Sequence, residues 1–589
     1  MPALGRVGLR PRPAIEDRSL TDQRNMILAI VLSALVLFGW SALSERFFPT
    51  AQAPVTRIDK GREVVIPKLA ADPAADAPAA IRARGVVLRE TPRVRIITPQ
   101  LAGSINLKGA RIDDLVLTRQ RETIDANSPA IRLLSPGGAK GAYFAGFGWA
   151  GAGTQAPGQE TLWTPSARVL TPAAPVTLSW ANGAGQRFDI LIAVDADYMF
   201  TVRQRVSNAS PAPVAVQPFA LINRDGKSPD VDSWTMHTGP VGVFNGSANY
   251  DVNFDDLDEG SADGQKMNGR GGWLGFTDKY WLTALVPDQR SAVEGTFRRG
   301  RQGSYQADFT TPTKIVAPGQ ALTQTSHLFA GAKELRALDK YEASLGVPAF
   351  DKAIDWGWFE WFAKPIFYLL NWLFSVAGNF GVAIILLTII VRGLMYPIAQ
   401  KQFQSMAAMR LLQPKMKALQ DRYKDDKPRQ QQEIMKLYKD EKVNPLAGCA
   451  PILLQIPVFY ALYKVLMLAV EMRHEPFILW LRDLTAPDPM TPVNLFGYLP
   501  FTPPQIIAIG VLPILVGITQ YVTFKLNPPA TDPVQQKVFS LMPWFLMVIM
   551  APFAAGLQLY WMTNNIFTII QQKLLYKRYG VDMKAPATT

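Results

Sequence analysis

The apolar residues of this chain are segregated along its length, and that segregation limits what it can fold into. After residue 350 the 589-residue sequence is mostly apolar, whereas between 44 and 350 no apolar run is long enough to cross a bilayer. One earlier run, Met26–Leu43, holds 18 residues without a charge. At the helical rise it spans about 27 Å, close to the thickness of the hydrocarbon layer. Arg6, Arg10, Arg12, Arg18 and Arg24 precede it. A cleaved signal peptide is the alternative, with Ala51-Gln52-Ala53 as a cleavage site. That site lies far beyond the run, and the run is long for a signal core, so an uncleaved anchor over 26–44 is the preferred reading. Five further spans are expected at 376–397, 446–470, 505–525, 538–553 and 555–575. The expected fold is a six-span α-helical membrane protein carrying one large domain between its first and second spans.

Charge asymmetry orients the spans. The connection at 401–445 carries Lys401, Arg410, Lys415, Lys417, Arg422, Lys424, Lys427, Arg429, Lys436, Lys439 and Lys442, whereas 471–504 carries only Arg473 and Arg482. This places 1–25, 399–442, 526–537 and 576–589 in the cytoplasm, and the large domain and 471–504 outside. The net charge is +13, with 48% apolar and 19% charged residues, which excludes a disordered chain. One Cys excludes a disulfide scaffold, and three widely separated His argue against a His/Cys metal centre.

Residues 45–90 are rich in Pro and Ala and read as a linker. Across 91–345, short alternating runs such as FDILIAV and FTVRQRV are separated by turn signals including Asn182-Gly183 and Asp225-Gly226. Period-two alternation predicts half-buried strands, hence an all-β sandwich. Asp251, Asp255, Asp256, Asp258 and Glu259 cluster in DVNFDDLDEG but lack cation-loop spacing, and a solvated loop is expected. The domain shows no Ser/His/Asp signature and no phosphate-binding Gly loop. The expectation is a protein that is not an enzyme, has no cofactor and does not act on DNA.

The membrane half carries the chemistry. Trp356, Trp358, Trp361 and Phe362 predict an interfacial helix at 352–366. Arg392 lies inside AIILLTIIVRGLMYPI, where a charge at mid-bilayer costs about 2.5–3.5 kcal/mol. Snorkelling to the cytoplasmic surface is the bland alternative. Thr388 lies one turn earlier on the same face. Gln455, Gln520, Gln558, Tyr560, Asn564 and Thr568 add polar groups to other spans. In hydrocarbon such groups need partners or water. Together they point to a water-accessible cavity with one positive charge, with interhelical hydrogen bonding as the alternative for each amide alone. Pro543 and Pro552 shorten the fifth apolar run, which favours local thinning of the bilayer. The connection 399–442 predicts a helical hairpin. Met406, Met409, Met416 and Tyr423 lie on one stripe, Arg410 and Lys417 supply charge, and Pro414 is expected to kink the first arm. Its basic, Met-rich character suits lipid head groups, a nascent chain or ribosomal RNA.

These segments resemble the YidC-type membrane-protein insertases of Gram-negative form. The resemblance rests on DQRN (22–25), GWLGFTDKYWLTALVP (272–287), IIVRGLMYPI (389–398), MRLLQPKM (409–416), KVNPLAGCAPILLQIPVFYALYKVL (442–466), DPVQQKVFSLMP (532–543) and GLQLYWMTNNIFTIIQQ (556–572). It implies a periplasmic β-supersandwich and a five-helix core around a hydrophilic groove open to the cytoplasm and lipid. It also implies that Arg392 attracts acidic residues of an incoming segment, and that Thr388 and the pair Tyr560-Trp561 line the path of a substrate helix. The implied partners are nascent inner-membrane proteins, the Sec translocon, the ribosome with its signal-recognition targeting machinery, and membrane lipids. Two rivals remain at this level. One is a small-solute transporter or channel using the same polar groups, and the other is an anchored external enzyme or sugar-binding module.

Overall fold

The computed structural model describes residues 81–578, apart from 153, 231, 233–234, 262, 301–302, 442–449, 500, 502, 505–507 and 528–532. The anchor expected at 26–44 lies outside the described residues, as do 45–80 of the expected linker and nearly all of the tail. Residues 81–90 are not linker. Helix α1 (Arg84–Val87) docks on the β-domain, with Arg84 paired to Asp114 and Arg82 bridged to Ala139. The expected linker therefore ends about ten residues earlier than its Pro/Ala composition suggests.

The alternating segments form two mostly antiparallel sheets, of eleven and nine strands among the described residues. Val214–Asp225 alternates buried and half-buried along almost its whole length, and Gln186–Val194 does nearly the same. Such a strand covers the core with one face and meets a wetter environment with the other. Aromatic rings join the sheets across the core. Trp149 meets Phe188 at 5.2 Å, and Phe276 meets Phe297 at 6.3 Å between centroids. Buried Gln204 spans the same interior and donates to the Gly148 carbonyl at 2.6 Å. The acidic cluster forms a short helix, α2 (Phe254–Glu259), closed by an Asn253/Asp256 capping box. Asp258 accepts from Tyr305 and pairs with Lys227, so Asp256 and Asp258 are committed to the fold, while Asp251, Asp255 and Glu259 are exposed.

Helix α3 (Leu335–Leu345) ends on left-handed Gly346 and leads through short turns into the membrane half. The interfacial helix expected at 352–366 instead starts at Glu360 and runs to Ala377 as α4. It stops where Gly378 takes a left-handed cap, and the Asn379 side chain then caps α5 (Phe380–Leu394). The span expected at 376–397 therefore begins and ends inside those limits. Its end has a steric cause: Met395 precedes Tyr396-Pro397, and proline fits the first turn of a new helix better than the middle of an old one. Helix α6 (Tyr396–Arg422) departs there, and the α5–Tyr396–Ser405 pair is bent by 62°. Helix α6 continues through Pro414, where a kink is expected, so the chain break lies at Met395 and not there. Helix α7 (Lys427–Asp440) returns alongside. Asp426 caps its start, and Gln430 donates to the Gln420 carbonyl of α6.

Helices α8 (Ala450–Leu468), α9 (Val511–Leu526), α10 (Pro533–Met550) and α11 (Ala555–Arg578) complete the half. Relative to expectation, α9 starts six residues later, α10 starts five earlier and α11 ends three later. Among the described residues no single helix is long and apolar enough to cross a membrane, and only the bent α5–α6 pair passes on length and composition together. The sixteen residues of α9 extend about 24 Å, against roughly 30 Å of hydrocarbon.

Polar contacts of Lys464, Arg473 and Glu471 tie the β-domain to the helices. Lys464, 1% exposed on α8, donates to the Thr235 and Asp355 carbonyls and lies 3.6 Å from the Asp355 carboxylate. Arg473 donates to the carbonyls of Arg121 and Glu122 on the β-domain. Glu471, just past α8, accepts from the Leu335 amide at the start of α3, while its second oxygen is buried without a partner.

Lys464→Met leaves buried acceptors without their cation, a loss on the order of 3 kcal/mol. We expect a lower midpoint of thermal unfolding for the detergent-solubilised chain and faster proteolysis between residues 346 and 359. Burial, reinforced by Glu334, pushes the Glu471 carboxyl from its ordinary 4.5 up to about 7. The folded state therefore binds this proton more tightly than the unfolded state. The resulting stabilisation is complete below about 4.5 and is lost as pH rises through about 7. Between pH 8 and pH 5 the unfolding midpoint of the native chain should rise relative to that of Glu471→Gln, and parallel pH profiles would contradict this assignment.

Candidate functional site

The polar side chains expected in the membrane half converge on α11. Along it, Tyr560, Asn564 and Thr568 recur every four residues and form one face, while Trp561 and Asn565 lie on the adjacent face. Each is met by a polar group from another helix.

The first cluster joins α5 to α11. Arg392 donates through Nε to Asn564 Oδ1 at 2.7 Å, and through Nη2 to Thr568 Oγ1 at 2.5 Å and the Asn564 carbonyl at 3.2 Å. Thr568 in turn donates to the Asn564 carbonyl at 2.7 Å. Among the described residues no carboxylate pairs with Arg392, so its positive charge is held only by neutral dipoles. Its place in the last turn of α5 adds the partial negative charge of that helix end. Arg392 as a residue is only partly buried, and its guanidinium keeps Coulombic attraction for an anion that none of its present partners satisfies.

The second cluster joins α8 to α11, where the Gln455 amide donates to the hydroxyl of fully buried Tyr560. The third joins α9 to α11. Trp561 Nε1 donates to Gln520 Oε1 at 3.1 Å, and Asn565 Nδ2 donates to Thr519 Oγ1 at 3.1 Å. The Trp561 ring also stands edge-on against Phe459 of α8 at 5.0 Å. Further along, Gln572 donates to Asn527 at 2.8 Å.

Arg392, Gln455, Gln520, Tyr560, Trp561, Asn564 and Thr568 are thus brought together by one helix. Two other expected residues have different surroundings. Gln558 is fully buried and donates to the carbonyls of Met550 and Phe553, at 2.9 and 2.7 Å. It satisfies the frayed end of α10 where Pro552 prevents the helix from continuing, which is a structural duty. Thr388 is buried and its hydroxyl donates back to the Ile384 carbonyl of its own helix at 2.7 Å. Sequence reading did not single out Thr519, Asn527 or Lys464. Thr519 stands next to the expected Gln520 inside an apolar run, and Asn527 just follows the end of that run. Lys464 carries no sequence signal, because a lysine near a span end ordinarily reaches water.

On the hairpin, Met409 packs against Ala399, Phe403 and Leu575, and Met416 is buried. The methionine stripe is therefore partly used up in holding α6 on α11. Tyr423 lies 5.5 Å from the guanidinium of Arg429. Lys417, Lys424, Lys427 and Arg429 are exposed. The side chains of Met406 and Arg410 lie outside the described residues.

Known protein families match both halves of the chain. A family described as the YidC periplasmic domain matches residues 93–369, and a family described as the 60Kd inner membrane protein matches 372–582. A membrane protein insertase YidC from Zymomonas mobilis is 48% identical over 560 residues, covering 95% of this chain and 96% of the relative. Another from Methylobacterium radiotolerans is 43% identical over 592 residues, covering 96% of each. A crystal structure described as an active YidC insertase with its first transmembrane domain resolved is 20% identical. It covers 83% of this chain and 93% of that one, with a TM-score of 0.36. Two family matches that together span most of the sequence, with relatives this similar over nearly full length, place the chain in the YidC family of bacterial inner-membrane protein insertases.

Proposed function

We propose that this insertase lowers the barrier to translocation at the α5–α8–α9–α11 cluster, with Arg392 as the electrostatic attractor for the polar part of a client. The carrying observation is the unbalanced charge: Arg392 has three hydrogen bonds to Asn564 and Thr568 and, among the described residues, no carboxylate. An acidic group of an incoming segment would gain an ion pair there, while Asn564 and Thr568 hold the guanidinium in place beforehand. The route past the bilayer would be short, because the apolar helices around the cluster are short. The client's hydrophobic segment would then leave sideways into lipid, and its burial would supply the drive without a nucleotide or covalent step.

The chain acts on inner-membrane proteins in the bacterial inner membrane and carries a periplasmic domain, as its family placement states. Beyond that, we propose six spans with both termini in the cytoplasm, supported by the basic residues of α6 and α7. The exposed lysines of that hairpin suit contact with a ribosome or nascent chain, and cooperation with the Sec translocon is part of the same reading. We also propose that the protein is an insertase and chaperone with no catalytic centre.

The test is an insertion assay in proteoliposomes with two clients, one with acidic residues in its translocated tail and one without. Arg392→Ala should slow the acidic client roughly tenfold, equivalent to about 1.4 kcal/mol, and leave the other nearly unchanged. Arg392→Lys should recover most of the rate, since charge rather than the two-point geometry carries the effect. Equal rates for Arg392→Ala and the native chain with both clients would refute the attractor role.

A further inference from the structure

The connection between α8 and α9 carries a structural feature that the insertion reading does not use. No charged residue occurs between Asp488 and Lys525. Within that stretch Val493, Leu495, Phe496, Tyr498, Leu499 and Phe501 are all exposed, Tyr498 by 89%. Loops usually expose polar side chains, so a dense apolar tip marks an interaction surface.

The loop is built to hold its tip out. Its base is clamped to the core by one carboxylate. Asp488 accepts from the Trp480 indole at 2.9 Å, from its neighbour Met490 at 3.0 Å, and from the Leu512 amide in the first turn of α9 at 2.7 Å. The Val511 amide adds a bond to the Met490 carbonyl. The tip is closed by Asn494, whose side chain accepts from Gly497 and whose carbonyl accepts from Leu499. Leu495 and Phe496 sit in the left-handed region, at φ 49° and 59°, as does exposed Leu479 earlier in the connection, at φ 57°. Bulky residues rarely adopt that conformation, and here it turns apolar side chains away from the protein instead of into it.

Position on the molecule indicates what covers the tip. The connection starts at Glu471 and Arg473, which touch the β-domain, so it emerges on the periplasmic side of the helices. From the loop the chain enters α9, whose flank exposes Ile518 and Val522. The apolar tip is continuous in sequence with that flank, is free of charge, and carries Tyr498 with its amphipathic ring, the composition found at a membrane interface. We propose that the 491–499 tip, together with Phe501, embeds in the periplasmic leaflet of the phospholipid bilayer and anchors the outer end of α9 there. This rests on the membrane placement of the helical half, and the test separates the two.

In a chain whose one cysteine is replaced (Cys449→Ser), nitroxide labels are attached at Tyr498→Cys and Phe501→Cys, at Ile518→Cys on the flank of α9, and at exposed Lys266→Cys on the β-domain. The full chain is reconstituted in vesicles of phosphatidylethanolamine and phosphatidylglycerol. Accessibility to lipid-soluble oxygen and to an aqueous nickel chelate is read by power-saturation spectroscopy. The proposal expects an oxygen-to-nickel ratio at 498 and 501 several-fold above that at 266 and close to that at 518. A ratio at 498 and 501 equal to that at 266, with 518 still lipid-like, overturns the anchor and leaves the membrane reading intact. Low accessibility to both reagents at 498 and 501 also overturns it, in favour of a protein partner. Aqueous values at 518 as well would remove the membrane placement on which the proposal stands.

Discussion

The helical half depends on one constraint: polar groups on α11 must be satisfied inside an apolar bundle. Leaving an amide or hydroxyl unpaired in such surroundings costs more than a hydrogen bond is worth in water. Helix α11 carries Tyr560, Trp561, Asn564, Asn565, Thr568 and Gln572, and their partners come from α5, α8, α9 and the end of α9. Interhelical packing alone gives little specificity where every surface is apolar, so these bonds fix which helix lies where. The cation is the exception that the dipoles orient but do not neutralise. A bundle stapled by neutral bonds around one unbalanced charge is stable as a scaffold and still attractive to an anion.

Much of this was legible from residues alone. The period-two pattern of Gln186–Val194 and Val214–Asp225 identified the sandwich, because burial on one face of a strand leaves a direct trace in composition. Arg392 was legible because a charge in an apolar run has few structural excuses. Helix ends were less so. The stop at Gly378-Asn379 and the break at Met395 are set by a cap and a proline within a continuous apolar stretch, and hydropathy averages over both. The partners of Gln558 and Thr388 are not legible for a related reason. Their residue types predict a need for hydrogen bonds but not whether a neighbouring helix or their own backbone meets it.

The attachment of the β-domain follows the same logic from the other side. Lys464, Glu471 and Arg473 lie within ten residues around the end of α8, and each bonds to backbone groups of the domain or its junction. Backbone acceptors and donors do not change with side-chain substitution, so this docking tolerates drift in the domain's surface while keeping its position. The external sandwich is thereby held at the outer end of the helices that carry the polar cluster. A solute pathway open in turn to both sides would have to carry this docked domain through each cycle, which favours the insertase account over a transporter.

The account turns on whether a client passes the α11 face beside Arg392. The most direct measurement replaces Trp561 with a photo-crosslinking phenylalanine analogue and illuminates cells synthesising a short single-spanning client, in stalled and released forms. The account predicts crosslinks to the client's hydrophobic segment in the stalled form that disappear once the client is released into lipid. Absence of any crosslink while the client inserts at its normal yield would contradict it.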